Sequence, residues 1–588
     1  MAVKNLITEH IDIWTSAVKT KSASGRGSSK KLELYGVKKL RELILELAVR
    51  GKLVPQNPND EPASVLLDRI AEEKKKLIEN KKLRKSKDLN EISEKDIPYR
   101  IPSTWKWCYL SDLGSIIGGG TPKSNEDVYW TDKGVKWLTP ADLYGLKSKY
   151  IGSGKRDITN LGLEKSSAQL LPKGSVLFSS RAPIGYVAIT SNELATNQGF
   201  KSVVPIFQEL SEYIYYFLKR SGKFIDAEAS GTTFKEVSGT VVSKVLTPLP
   251  PIAEQHRIVA KVDELMALCD QLEQQTEASI EAHQVLVTTL LDTLTNSADA
   301  DELMQNWARI SEHFDTLFTT EESIDQLKQT ILQLAVMGKL VPQDPSDEPA
   351  AELLKRIAEE KAQLVKDKKI KKQKALPPIN EDEKPFELPN GWEWCRLEDV
   401  VDIQSGITKG RKLAGRELKT IPYLSVANVQ RGYLILNNVK EIDLPIDELE
   451  KYSVEDGDLL ITEGGDWDKV GRTAIWRSEV PYMAHQNHVF KARPFLKEQS
   501  EAWLEMYLNG PFARKYFAGS SKQTTNLASI NKTQLRSCLI AVPPRDEKKE
   551  ISDRVQELVG MCDLLLEGIR ASLQTQLQLT DVIVDQVV

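Results

Sequence analysis

Apolar residues recur every three or four positions in two long stretches of the chain. After Pro251 they fall at Ile258, Val262, Leu265, Cys269 and Leu272, and Ile280, Val287 and Leu291 carry the stripe to about residue 296. One apolar face at this spacing predicts a helix. The opening PPIAEQ suits its first turn, with proline ahead and Glu254 near the positive end of the helix dipole. Ile551, Val555, Leu558 and Cys562 repeat the pattern after Pro544. At ~1.5 Å per residue the 254–296 helix is about 60 Å long. That length suits a spacer or an antiparallel pair; an ordinary buried helix is the other reading.

Elsewhere the pattern shortens. GSVLFSS (174–180), GYVAIT (185–190), DLLIT (458–462), RTAIW (472–476) and CLIAV (538–542) are β-rich runs bounded by Gly, Pro or charged turns. LSEYIYYFLKR (210–220) and SEAWLEMYLN (500–509) read as helices. Two blocks, 99–252 and 386–544, are therefore mixed α/β. Each opens on a WxWC tetrapeptide followed by a glycine-containing loop, GGGTPK (118–123) and SGITKG (405–410).

The framework around the blocks is repeated. The 48 residues from Leu40 return from Leu327 without a gap, 30 of them identical, at a constant offset of 287. The same offset carries IPSTWKWC (101–108) onto LPNGWEWC (388–395). Inside the blocks the match weakens: GSVLFSS faces GDLLITE (457–463), and NQGFK (197–201) faces NHVFK (487–491). It sharpens at Pro250-Pro251 and Pro543-Pro544, and TEHID (8–12) faintly matches SEHFD (311–315). SASGRGSSKK (22–31) has the composition of a flexible linker. A duplication that keeps its helices and diversifies two blocks suggests two binding modules on one scaffold; drift in two structural lobes is the alternative.

Charge is segregated. The 588 residues carry a net charge of −5, which does not advertise nucleic-acid binding. Residues 254–326 hold sixteen acidic and three basic side chains, so a phosphate backbone would repel that surface. The first block sums to +5 and the second is near neutral, with KGRKLAGRELK (409–419) basic and EIDLPIDELE (441–450) acidic. The tracts 74–87 and 366–374 are strongly basic and directly precede the blocks. Solvated helix ends, phosphate contact and a partner surface are all open readings there.

No apolar run approaches the roughly 18–20 residues that cross a bilayer, and the amino terminus lacks the regions of a secretory signal. Five cysteines without a CxxC pair argue against a disulfide framework or zinc ribbon and point to a reducing cytoplasm. There is no GxxxxGK[ST] loop and no amino-methyltransferase tetrapeptide: LPPI (376–379) and VPPR (542–545) lack the flanking polar and aromatic residues. His485 and His488, with Glu463, Asp466 and Asp468 nearby in sequence, offer a weak metal motif that the first copy does not repeat. No catalytic constellation emerges.

The tandem of proline-led helices, each after a diverged α/β block, resembles the specificity subunit of type I restriction–modification enzymes. WxWCYLSDLGSIIGGGTPK, PKGSVLFSSRAPIGYVAI (172–189) and TNQGFKSV (196–203) look like that family's target-recognition domains. The second block departs from the pattern, because SGITKG lacks the Thr-Pro and EGGDWDKVGRTAIW replaces SSRAPIGYVAI. The resemblance implies an α/β plus α fold: two α/β target-recognition domains separated by long antiparallel, coiled-coil-like helices in a pseudo-two-fold repeat. Its divisions would be a helical region with a linker at 1–98, a first recognition domain at 99–252, a central helical spacer at 253–385, a second recognition domain at 386–544 and a C-terminal helical region at 545–588.

The resemblance further implies a non-catalytic, cytoplasmic subunit that recognises an asymmetric bipartite target in double-stranded DNA, one half-site per domain. It would dock two methyltransferase subunits for adenine methylation, together with restriction/translocase subunits. S-adenosylmethionine, ATP and Mg²⁺ would sit on those partners and none on this chain, and no membrane is involved. The alternative is a two-lobed protein–protein scaffold. Candidate DNA-contacting residues are Thr121, Lys123, Lys136, Arg156, Arg181 and Lys201 in the first block. In the second they are Lys409, Arg411, Lys412, Arg431 and Arg472. Each has a solvated surface role as its alternative.

Overall fold

The computed structural model describes residues 7–21, 31–83, 89–181, 183–229, 235–298, 300–411, 413–465, 469–524 and 527–587. Most of the 22–31 linker and the end of the first basic tract lie outside these residues. The chain divides into two compact units, one of residues 1–279 with 573–588 and the other of residues 280–572. Each unit holds one mixed α/β block and a set of framework helices. Two helices are long, Ile252–Thr295 and Arg545–Val587. Each begins in the unit of the block that precedes it and ends in the other unit.

In the first unit, Tyr35–Val49 buries Val37, Leu40, Leu43, Ile44 and Leu47 on one face. The helix stops where Gly51 turns left-handed (φ +70°) and Lys52 N–H reaches back to Leu47 O at 3.0 Å, the hydrogen bond of a Schellman cap. The second unit repeats the stop after Glu321–Val336, with Gly338 at φ +68° and Lys339 N–H on Leu334 O at 2.9 Å. A Cβ on Gly51 would lie 2.5 Å from Pro102 Cγ, and one on Gly338 would lie 2.5 Å from Pro389 Cγ. The glycine thus supplies both the φ and the room for the block's first loop to dock.

A buried carboxylate locks that docking. Trp105 Nε1–H donates to Glu254 Oε2 at 2.9 Å, and Gln56 donates to Glu254 Oε1 at 2.5 Å. The second unit rebuilds it with Trp392 on Glu547 at 2.9 Å and Gln343 on Glu547 at 3.1 Å. The repeated GKLVPQ, WxWC and proline-led segments are therefore three sides of one joint. Burial pushes the carboxyls of Glu254 and Glu547 up, while the indole and amide donors pull them down. Lys548 stands where the first copy has Gln255; it is buried, donates to Gln499 O at 3.2 Å, and burial holds it down at about 8.

Each block has its own main sheet, built in the same strand order with one strand more in the first. In the first, the order is Gly114–Gly118, Lys201–Pro205, Val176–Phe178, Val187–Thr190 and Tyr150–Ile151; in the second it is Val401–Ser405, Val489–Pro494, Leu459–Thr462 and Thr473–Ile475. A second sheet in each pairs a short strand in parallel, Ala195–Thr196 on Val135–Leu138 and Ala484–His485 on Leu418–Leu424. Each block is closed by an antiparallel ribbon of its own first and last strands. Lys106–Tyr109 pairs with Leu246–Leu249, and Glu393–Arg396 with Leu539–Val542. The chain thus enters and leaves each block side by side.

These ladders correct one sequence match. Lys201 lies opposite Gly118, and Phe490 lies opposite Ser405, the residue that replaces Gly118 in the repeat. Lys201 therefore corresponds to Phe490, and Gly199 to His488. The NQGFK/NHVFK match is one residue out of register, and in a strand one residue exchanges the two faces. Lys491, matched to Lys201 by sequence, is only 2% exposed, with its ammonium on Ser453 O at 2.7 Å.

Candidate nucleic-acid interface

Three loops of the first block meet at one end of its main sheet. The glycine loop after Gly114–Gly118 is fixed by Gly120 N–H on Thr196 O at 2.8 Å. A Cβ on Gly119 would lie 1.9 Å from Asn197 O, so the loop packs backbone to backbone on the NQG turn. Thr121 Oγ1–H donates to Gln198 Oε1. Ser180 N–H donates to Gly199 O at 2.7 Å, joining the SSRAPIG loop to the same turn.

The basic candidates gather around this junction. Lys201 reaches Gln198 O at 3.3 Å, Ser180 Oγ at 3.5 Å and Glu236 at 3.1 Å. Arg181 follows Ser180 and is half-buried. Trp130 Nε1–H donates to Lys123 O at 3.1 Å and Trp137 Nε1–H to Gly120 O at 3.0 Å, so the two edge-to-face tryptophans clamp the glycine loop. Arg156 lies over the Trp130 ring, its guanidinium carbon 3.9 Å from the centroid. Lys136 is bound to the buried carboxylate of Asp157 at 2.7 Å.

The second block repeats the junction with other side chains. Ile407 N–H donates to His485 O at 2.8 Å and Glu463 N–H to His488 O at 2.9 Å. A Cβ on Gly406 would lie 2.2 Å from His485 O. Lys409 sits 5.0 Å from the centroid of Tyr423, which takes the place of Trp137. Arg411 is paired with Glu448 at 2.7 Å. Arg472 N–H donates to Thr462 Oγ1 at 3.0 Å and its Nη1 to Gln430 at 2.6 Å. Arg431 reaches Asn509 at 3.5 Å. Lys412 lies outside the described residues.

The first block's candidates therefore converge through a chain of contacts. In the second, Lys409 and Arg411 belong to the glycine-loop side, and Arg431 and Arg472 to the turn around Gly471. Gly471 (φ +69°) and Gly185 (φ +99°) hold the same turn in the two blocks. Lys136, Lys201 and Arg411 are already neutralised by carboxylates. Arg156 carries its charge on an aromatic face, an arrangement suited to phosphate or base contact. Sequence reading missed Gln198, Trp130, Trp137, Tyr423 and Gln430, which position the candidates. Tryptophans beside a glycine loop were the signal available.

The histidine motif does not assemble a metal site. His485 is fully buried, its Nδ1 lies 2.7 Å from Val489 O, and burial holds its pKa down at about 4. His488 is exposed and pairs with Glu463, while Asp466 and Asp468 lie outside the described residues. Among the described residues no cluster of three or more His, Cys, Asp or Glu could hold a metal, and no helix is long and apolar enough to cross a membrane. All five cysteines are buried free thiols.

The model of a family described as the type I restriction modification DNA specificity domain matches residues 102–282 and 389–575. The Escherichia coli protein named type I restriction enzyme EcoEI specificity subunit is 40% identical over 613 residues, covering 100% of this chain and 99% of that protein. The EcoAI specificity subunit, also from Escherichia coli, is 41% identical over 607 residues with the same coverage. A solved chain from work on assembly and conformational transition of the type I R-M system is 18% identical. Its TM-score is 0.48, over 83% of this chain and 99% of that one.

Proposed function

We propose a function from one premise: the chain belongs to the type I restriction modification DNA specificity family. It is the specificity subunit of such a system, and the chemistry of modification and restriction belongs to other subunits. Each block reads one half of an asymmetric, bipartite DNA target, with its loop junction toward the duplex. The observation that carries this reading is one backbone framework bearing two unlike sets of loop side chains: Thr121, Gln198 and Arg156 in one, Lys409, Tyr423 and Arg472 in the other. One scaffold with two side-chain sets is what two different half-sites require.

Lys123, Arg156, Arg181, Lys409, Arg431 and Arg472 supply phosphate or base contacts. Thr121, Lys136, Lys201, Arg411 and Lys412 complete the set, the carboxylate-paired ones acting chiefly through loop position. Two methyltransferase subunits dock on the framework helices, with restriction/translocase subunits beyond them. S-adenosylmethionine, ATP and Mg²⁺ are bound by those partners. The acidic surface of 254–326 supports a protein-facing rather than phosphate-facing role. Five buried free thiols support a cytoplasmic setting.

The test is exchange of the first block, cut at its closing ribbon, for that of another family member. Methylated sites are then mapped with the modification subunits present. The expected result is a new first half-site and an unchanged second. A change in both, or in neither, overturns the modular reading.

A further inference from the structure

The two blocks place unlike side chains on one backbone step. Ser180 N–H meets Gly199 O at 2.7 Å in the first, and Glu463 N–H meets His488 O at 2.9 Å in the second. The adjoining rung also matches, with Val237 N–H on Ser180 O and Ile530 N–H on Glu463 O, both at 2.9 Å. The backbone is held alike, so the difference lies in the side chains: serine and glycine against glutamate and histidine.

His488 Nδ1 lies 2.5 Å from Glu463 Oε2. A carboxylate at Nδ1 selects the tautomer that carries the proton there, and the neutral ring then offers Nε2 as an acceptor. The His488 side chain is 55% exposed and that of Glu463 28%, so the ring is presented from a partly covered support. Glu463 is bonded through its backbone on both sides, which fixes the pair on the sheet rather than on a free loop. An outward acceptor on a rigid support suits the exocyclic amino groups of adenine N6 and cytosine N4, the base donors of the major groove.

We infer that His488, positioned by Glu463, is a specificity-determining residue. Its Nε2 accepts a hydrogen bond from the exocyclic amino group of one base in the half-site read by the second block. This rests on the two-reader function proposed above. Gly199 leaves the first block without a counterpart.

The experiment uses the full chain with its modification subunits and measures methylation rates on a library covering every single-base change in both half-sites. His488→Ala is expected to lose about tenfold discrimination, the equivalent of ~1.4 kcal/mol, at one position of the second half-site only. His488→Gln, whose amide oxygen can accept, is expected to retain most of it. Glu463→Ala should lose the same position and Glu463→Gln should restore it, because the amide oxygen still accepts from Nδ1–H. Unchanged discrimination in His488→Ala, or a loss spread evenly over all positions, overturns the inference while leaving the two-reader function intact. A wild-type complex with no bipartite preference would instead overturn that function.

Discussion

Arg493 grips Asp458 with two hydrogen bonds of 2.7 Å, from Nε and from Nη2, and Asp458 is only 1% exposed. The buried ammonium of Lys491 is held down by burial and by the neighbouring Arg493, with Asp458 opposing. The ladders place Ser175, Ser202 and Val204 at the corresponding positions of the first block. One block thus holds a buried ionic cluster where its twin holds small neutral residues.

Asp458→Ala removes the buried partner of Arg493, which keeps Glu455 at 2.7 Å, and a carboxylate that opposes the lowering of Lys491. Because Arg493 keeps that second partner and is a third exposed, denaturant unfolding of the second unit should shift by less than the roughly 3–5 kcal/mol of a fully buried broken pair. Ser175→Ala should cost far less, because it strands no charge.

Acid should weaken the second unit through His485. Its folded-state pKa, about 4, lies below its ordinary 6.5, so the unfolded chain binds the proton first. The stabilisation is complete above 6.5 and is lost as pH falls through that window toward 4, amounting to about 3 kcal/mol. About 2 kcal/mol of it falls between pH 7 and 5, where urea midpoints measure it. His485→Thr, which installs the residue type found at Thr196 in the first block, should remove this component.

Gly119 and Gly406 are required by space rather than by φ. A methyl group at either would meet a backbone carbonyl of the neighbouring turn. Gly119→Ala should lower affinity for targets altered only in the second half-site by at least about tenfold, while discrimination within the second half-site persists. Gly406→Ala should do the reverse, read by competition binding with half-site variants.

Phosphate contacts should appear in salt dependence. Lys123→Ala and Arg156→Ala should each reduce the slope of log affinity against log salt by about 0.9, uniformly across sequences. Lys136→Ala should reduce it less, because Asp157 already neutralises that ammonium.

Lengthening the first long helix by four residues near its middle adds ~6 Å. The tolerated gap between half-sites should grow by about two base pairs at ~3.4 Å per pair. Methylation mapping reads the gap directly, and an unchanged gap would assign the spacing to another element.

Much of the framework was legible because helices advertise themselves by period. The 254–296 stripe became Ile252–Thr295, and the GKLVPQ, WxWC and proline-led repeats proved to be one joint. Inside the blocks, strands of two to seven residues carry too little pattern to fix register. NQGFK and NHVFK share letters yet sit one residue apart in the ladders. Buried charge was also invisible: nothing local distinguishes Lys491, inside the sheet, from Lys201 at its rim. Trp130 and Trp137 lie near the glycine loop in sequence, but only the folded chain shows that their indole N–H groups hold the carbonyls of Lys123 and Gly120.

The ribbon that closes each block has a consequence for heredity. Since entry and exit strands are zipped together and a repeated protein framework flanks each block, a foreign reader joined at the ribbon would arrive whole, with its interior uncut. New addresses on the genome can then arise by shuffling, without any residue of the supporting joint having to change.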